Sequence, residues 1–418
     1  MAAPVDGYED AAKLLEALPR LGVPLASRSV ASKRVVVCGG SVGGLAVAAC
    51  LRRAGFESVT VLERSVRLGD GAGVGVDDAS MGILLGLGVS LESLETTRWI
   101  EEVATTGETL FRAPYPYWST RYADIRRGLA ASAGNVRWGS RVVRVEKEYV
   151  VLEDGERVAY DALIAADGPR SSTRELVEAR ELRYAGYTAW RGTVSRPGIR
   201  DVLTFVHHES LASHGVLYDI GNGVTNWLVY ETRPPSAGAG KTTASVDPRE
   251  ARAFQAVARS EWGEVLGGMI EATDFSEIFR TDVYDLETPL TRLASDDVAL
   301  VGDAAHAVTP HAAKGSNMAI HDAYVLACAA ATASDVTTWL ADYSRRREAD
   351  VSATSRFSRH VGRLRNQGAA LRGDFEERVR EVPYLALPTD PVFDPVWAVH
   401  GTSFYLDHRR RRRRRRHQ

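Results

Sequence analysis

Six residues, Gly39-Gly40-Ser41-Val42-Gly43-Gly44, follow the apolar, β-branched run Arg34–Cys38 and lead into the helical stretch Leu45–Ala54, which Gly55 closes. Glycines there tighten the turn and let the backbone approach a phosphate, while the start of a helix offers N–H donors to an anion. Read as G-x-S-x-x-G, the loop places Gly39, Ser41, Gly43 and Gly44 around a dinucleotide pyrophosphate, with serine where a second glycine is usual. Glu63 ends the next strand, Ser58–Leu62, 19 residues after Gly44, in place to accept from ribose hydroxyls.

Two further motifs compete for the same chemistry. Gly39-x-Ser41-x-Gly43 also spells a nucleophile elbow, with Asp303 and His306 or His311 following in hydrolase order. Only 38 residues precede the loop, too few for the strands an α/β-hydrolase needs first, and Glu63 would have no role. An α/β-hydrolase with Ser41 as nucleophile is therefore the remote reading. Pro235-Ser-Ala-Gly-Ala-Gly-Lys241-Thr242 looks like a P-loop, but proline opens it and no helix start follows, so it reads as a solvated loop.

The elements that must carry the loop form an α/β pattern. Lys33 opens a βαβ unit; Arg141–Val151 and Asp161–Ala165 read as strands flanking the hairpin signal Glu153-Asp154-Gly155. Tyr184–Thr232, rich in Tyr, Trp, Val and Thr, reads as antiparallel sheet, with turns at Arg196-Pro197-Gly198 and Gly221-Asn222-Gly223. Asp297–Val301 is a buried strand, Gly315–Ala331 an alanine-rich helix, and charged helices dominate Asp342–Glu381. The expected division is an N-terminal extension over 1–32, holding a short helix at Ala11–Leu18. A discontinuous nucleotide-binding domain follows over 33–182 and 283–345, interrupted by a β-sheet substrate domain over 183–282. A C-terminal helical segment covers 346–407 and a disordered arginine-rich tail 408–418.

Composition narrows the class. No apolar stretch approaches the ~20 residues of a membrane span, and three cysteines (Cys38, Cys50, Cys328) make neither a disulfide framework nor a metal-ligand spacing. A reducing, cytoplasmic setting without a metal is the expectation. The formal net charge of −2 becomes −10 when the eight arginines Arg409–Arg416 are left out, so the body is acidic and carries no basic stripe for specific nucleic-acid binding. The run itself reads as an appendage.

Two later segments, taken with the first loop, carry a family resemblance. Asp161-Ala-Leu-Ile-Ala-Ala-Asp167-Gly168-Pro-Arg-Ser-Ser-Thr-Arg174 and Val298-Ala-Leu-Val-Gly302-Asp303-Ala-Ala-His306, then Pro310 and Gly315-Ser316-Asn317, resemble the motifs of FAD-dependent aromatic hydroxylases. Tyr184-Ala-Gly-Tyr187 with Trp190-Arg191-Gly192 resembles the start of their substrate sheet. The match runs from about Lys33 to Arg347 and is similar to single-component flavoprotein monooxygenases of the p-hydroxybenzoate hydroxylase type, with hydroxypyridine and hydroxynicotinate hydroxylases as the nearest subgroup. It implies a Rossmann-like FAD-binding domain with an inserted β-sheet and C-terminal helices.

The resemblance also implies roles. Glu63 would hold the adenosine ribose and Arg64 lie against the adenine; Asp167-Gly168 would sit near the pyrophosphate; Asp303 would bind the ribityl chain or bridge to the pyrophosphate through water. Pro310, Gly315, Ser316 and Asn317 would face the flavin, with the helix opening at Gly315 directing its positive end at the N1–C2=O edge. NADPH or NADH would reduce the FAD, and O₂ would add to give a flavin C4a-hydroperoxide that hydroxylates a small aromatic or heteroaromatic substrate. Arg191, Tyr218 and His311 are the candidates to bind or deprotonate that substrate, and His306 reads as structural. Tyr122 stands where the family often has arginine, with Arg121 and Arg126 nearby. Lys314 stands before Gly315, where a cation would either stabilise the reduced flavin anion or simply face solvent. A related flavoenzyme that epoxidises or rearranges a polycyclic product fits the same motifs. A non-catalytic flavin-binding protein using its arginine tail is the reading from another class. Monomer and homodimer both remain open.

Overall fold

The computed structural model describes residues 15–366, apart from 69–71, 197–200, 209–212 and 236–243. Most of the P-loop-like stretch, the Pro197-Gly198 turn, the start of the expected Ala11–Leu18 helix, the expected helix beyond 366 and the arginine run lie outside these residues.

In chain order, strand β1 (Arg34–Cys38) leads through the glycine loop into helix α1 (Val42–Arg53), then β2 (Ser58–Glu63), β3 (Gly73–Val76) and α2 (Asp78–Gly86). Strands β4 (Glu95–Ala104) and β5 (Thr109–Arg121) precede α3 (Tyr122–Ala133) and β6 (Val136–Trp138). Next come β7 (Val142–Glu146), β8 (Tyr149–Leu152), β9 (Arg157–Ala159) and β10 (Ala162–Ala165). The chain continues with β11 (Leu182–Val194), β12 (Val202–His207), β13 (His214–Asp219), β14 (Thr225–Thr232), β15 (Ala244–Ser245) and α4 (Pro248–Trp262). It ends with β16 (Phe279–Leu286), β17 (Ala294–Ser295), β18 (Val298–Leu300), α5 (Gly315–Ala329) and the 30-residue α6 (Val336–Arg365).

Six strands order as β17-β18-β10-β1-β2-β6, parallel except where β17 meets β18. Strands β1 and β10 are buried almost throughout, as a sheet covered on both faces requires. Helix α1 packs between this sheet and α5, with every residue from Val42 to Leu51 buried. Its glycines and alanines let the backbones close up, while Leu45 and Leu51 each contribute about 2 kcal/mol of apolar burial. The second sheet has nine strands, β15-β16-β11-β14-β13-β12-β4-β5-β3.

Several expectations need correction. Arg141–Val151 is two strands, β7 and β8, turning at Lys147-Glu148, where Glu148 takes φ +69; the Glu153-Asp154-Gly155 turn joins β8 to β9. The nine-stranded sheet draws β3, β4 and β5 from 73–121, ahead of the boundary expected at 183, and β12 pairs parallel with β4. Pro114 and Pro116 in β5 hide that strand from a propensity reading. Part of the N-terminal extension belongs to the core: Leu18, Leu21 and Val30 are buried, and the Leu21, Ala26 and Ser27 amides donate to the Gly82, Ala54 and Ala330 carbonyls. No helix among the described residues is long and apolar enough to cross a membrane.

Candidate active site

Adjacent parallel strands end side by side. In register, Cys38 faces Leu62 on one side and Ala165 on the other, and Ala165 faces Leu300. Their carboxyl ends therefore bring Glu63, the loop 39–44, Asp167-Gly168 and Gly302-Asp303 to one edge, where the crevice of an open α/β sheet lies. Gly39 has φ +110, and a Cβ on it would stand 2.2 Å from the Ala166 carbonyl oxygen; a Cβ on Gly44 would stand 1.9 Å from that of Gly39. The close fit of turn, strand and helix leaves backbone rather than side chain facing the crevice.

Glu63 ties this edge together, Oε2 accepting from the Gly40 amide at 2.6 Å and Oε1 from the Ser65 amide at 2.8 Å. Each carboxylate oxygen keeps a second lone pair for a hydroxyl donor. Asp167 Oδ2 accepts from the Thr173 hydroxyl at 3.1 Å, and the Arg126 guanidinium donates to the Gly40 carbonyl at 3.2 Å. Arg64 is exposed. Asp303 has an open surface, yet desolvation by surrounding protein raises its pKa. A carboxyl both accessible and crowded lies in a concave groove, which fits a cofactor chain passing over it. The loop cradle, the residual acceptor capacity of Glu63 and this groove fit a dinucleotide.

At the other end of the groove, α5 starts at Gly315 beside a buried polar cluster. Asn317 Nδ2 donates to the Ala313 carbonyl (2.7 Å), the Gly75 carbonyl (3.1 Å) and the Tyr117 hydroxyl (3.0 Å). Asn317 Oδ1 accepts from the Asp77 amide at 3.0 Å. Lys314 neither faces solvent nor stands as a lone cation: its Nζ is 2.7 Å from Asp77 Oδ2, and His321 Nε2 lies 3.2 Å from Asp77 Oδ1. Lys314 and His321 together hold the Asp77 carboxyl well below its usual range against its burial. Next to it, burial lifts Asp78 to about 7, although Trp118 Nε1 donates to it at 2.8 Å. Removing charge from this cluster should tune a flavin held beside Gly315. Lys314→Ala is expected to lower the flavin reduction potential and Asp77→Asn to raise it, as read by dye-coupled reductive titration. Equal potentials in parent and both variants would separate the cluster from the flavin.

Period-two alternation in the second sheet sends Trp190, Val194, Leu217, Trp227 and Val229 to the face under α4, where Trp190 stacks on Phe254 at 4.4 Å. The opposite face carries Tyr187, Phe205, Val216 and Tyr230. Arg191, Tyr218 and His311 come together here around Tyr230. Arg191 interacts electrostatically with Tyr230, Tyr218 and Tyr122, and donates to Thr281 Oγ1 at 2.7 Å. His311 sits 4.6 Å from the Tyr230 ring, its Nε2 is 2.8 Å from the Tyr187 hydroxyl, and burial lowers its pKa to about 3, so it is neutral at physiological pH. Burial raises Tyr187, Tyr218 and Tyr230, which stay protonated. Arg191 thus lies within electrostatic range of both Tyr122, at the glycine loop, and Tyr230 of the sheet.

Sequence reasoning missed Tyr230, His214 and the end of α6. His214 stacks on Tyr230 at 4.7 Å, and its Nδ1 is 3.0 Å from Asn366 Oδ1. Arg365 donates to Glu102 Oε1 at 2.8 Å and lies 3.5 Å over the Phe205 ring, closing the back of this face. The alternation His214-x-Val216-x-Tyr218 and Leu228-x-Tyr230 carried the signal for the sheet residues. His306 bonds Asp322 at 2.6 Å inside the core, the structural place expected for it. Among the described residues no group of three or more His, Cys, Asp or Glu could hold a metal ion.

A parallel sheet with a glycine-loop crevice, joined to an antiparallel sheet bearing a polar aromatic face, defines a flavin-dinucleotide oxidoreductase. The comparisons agree: residues 32–358 match the FAD binding domain family. The chain is 30% identical over 330 residues to aurachin C monooxygenase/isomerase of Stigmatella aurantiaca, covering 74% of this chain and 83% of that one. It is 31% identical over 320 residues to 3-amino-4-hydroxybenzoate 2-monooxygenase of Streptomyces cremeus, covering 70% and 77%. The structure of 2,6-dihydroxypyridine-3-hydroxylase from Arthrobacter nicotinovorans superposes with a TM-score of 0.72 at 26% identity, over 81% of this chain and 93% of that one. The chain belongs to the FAD-binding monooxygenase family and is an FAD-dependent monooxygenase with a nicotinamide co-substrate.

Proposed function

We propose that the enzyme hydroxylates an electron-rich, anionic aromatic or heteroaromatic small molecule, with Glu63, Asp167, Asp303 and the loop 39–44 holding the FAD. The observation carrying this reading is the Arg191 guanidinium on the polar face of the second sheet, held by Thr281 Oγ1 at 2.7 Å and within electrostatic range of Tyr230, Tyr218 and Tyr122. A guanidinium on a face of protonated phenols and a neutral imidazole suits a substrate bringing a carboxylate or phenolate. When bound, the flavin supplies the activated oxygen and accepts electrons from NADPH or NADH. The protein's part is to orient the ring, keep water out with the aromatic wall, and hold the substrate anion against Arg191. The neutral His311–Tyr187 pair lies against Tyr230 and fixes the ring wall on which the substrate would rest. Epoxidation or rearrangement of a larger substrate is the second reading, supported by the monooxygenase/isomerase relative.

The test is NAD(P)H oxidation with a panel of hydroxylated and aminated benzoates and pyridines under ¹⁸O₂. One ligand class should stimulate oxidation and gain a single labelled oxygen on the ring; stimulation only by polycyclic or isoprenoid substrates would move the assignment to the second reading. Arg191→Met should lower kcat/KM for the anionic substrate about 10- to 150-fold, the worth of a hydrogen bond to a charged group. Loss should be smaller for the amide or methyl ester. An equal loss for charged and neutral analogues would show that Arg191 serves packing alone.

A further inference from the structure

Ser41 is the N-cap of α1, where a serine hydroxyl ordinarily accepts from an amide of its own first turn. Here it makes no such bond. Its Oγ lies instead 2.7 Å from the Tyr122 hydroxyl, and Tyr122 is the first residue of α3. The starts of two 12-residue helices are therefore linked through a pair of side-chain hydroxyls at the glycine loop. Tyr122 is partly open to the groove though desolvated by its surroundings, and it interacts with the Val42 amide and with Asp303.

We propose that Ser41 and Tyr122 act as one unit in binding the cofactor's pyrophosphate. Two hydroxyls in contact carry two protons: one is used between them and the other is left to donate to a phosphate oxygen. Because Ser41 is turned toward Tyr122, it does not cap the second and third amides of α1, those of Gly43 and Gly44, which keep their capacity for the same anion. Arg126, one turn into α3, holds the Gly40 carbonyl and so fixes the loop behind the pair. Tyr122 also lies within electrostatic range of Arg191. This inference rests on the cofactor placement given above.

The test is a double-mutant cycle on the full-length chain stripped of flavin and titrated with FAD, ADP and adenosine. Ser41→Ala and Tyr122→Phe should each weaken FAD and ADP about tenfold, as loss of one hydrogen bond to a charged group does. The double variant should bind within about twofold of either single one, because the two act together. Adenosine, which has no phosphate, should bind all four proteins equally. Additive losses, or an equal loss for adenosine, would overturn the pair's role at the pyrophosphate. A parent chain that binds FAD but not ADP would overturn the cofactor placement itself.

Discussion

Gly44→Ala is expected to yield a colourless protein. A Cβ at Gly44 would sit 1.9 Å from the Gly39 carbonyl oxygen, 3.0 Å from its carbon and 3.2 Å from a Val37 methyl. Two of these neighbours are backbone, pinned because the Gly39 amide donates to Leu62 at 2.9 Å and Gly39 itself crowds Ala166. No rotamer change relieves the contact, so α1 must move away from β1. The expected cost is about 3 kcal/mol or more, the upper range of overpacking. Because the displaced element is the loop that faces the pyrophosphate, cofactor binding fails before global folding does. Gly43→Ala is the control, since its Cβ would find the Ala319 Cβ at 3.4 Å, an ordinary contact, and it should keep its flavin. The flavin-to-protein absorbance ratio and the flavin-release temperature read both variants. A yellow Gly44→Ala protein with the parent's release temperature would refute the geometry of the loop.

Such local constraints explain what was legible beforehand. The crevice could be read because each of its parts is a short segment whose own chemistry names it: glycines that must turn, an acid at a strand end, Asp-Gly and Gly-Asp after buried strands. The antiparallel sheet could be read only in the half where Tyr, Trp and Val alternate between turns. Strands β4 and β5 were lost because prolines interrupt β5, and because β12, which joins β4 to the rest of the sheet, lies about a hundred residues further on. The same distance hid Glu102 and Arg365, 263 residues apart, whose ion pair exists only once α6 has crossed the sheet face. Lys314 shows the limit in another way: its type suggested a free cation at the flavin, and only the fold supplied Asp77, 237 positions away. Sequence pattern identifies chemistry held within one turn or strand, whereas charge compensation across elements needs coordinates.

Asp322 carries the second large prediction, because three elements depend on its one carboxylate. It is fully buried on α5; Oδ2 accepts from the Gly302 amide at 2.9 Å and from His306 Nε2 at 2.6 Å, and Oδ1 accepts from Arg347 Nε of α6 at 2.8 Å. Arg347 also pairs with Asp350. Asp322→Ala removes the anion from a buried guanidinium and leaves the Gly302 amide without its acceptor, which should cost about 3–5 kcal/mol. The network stands directly behind Asp303, so flavin should be released well below the parent's release temperature. Acid should act in the same direction. His306 and Arg347 hold the Asp322 carboxyl far below its ordinary value near 4. A folded pKa so depressed contributes stability that is whole above the unfolded value and is lost as pH falls below about 4. Thermal unfolding of the parent should therefore steepen its decline below about pH 4.5, while Asp322→Asn, destabilised throughout, should show a shallower decline. Parallel pH profiles for the two proteins would mean that the carboxylate is not what binds α5, α6 and the Gly302-Asp303 turn into one unit.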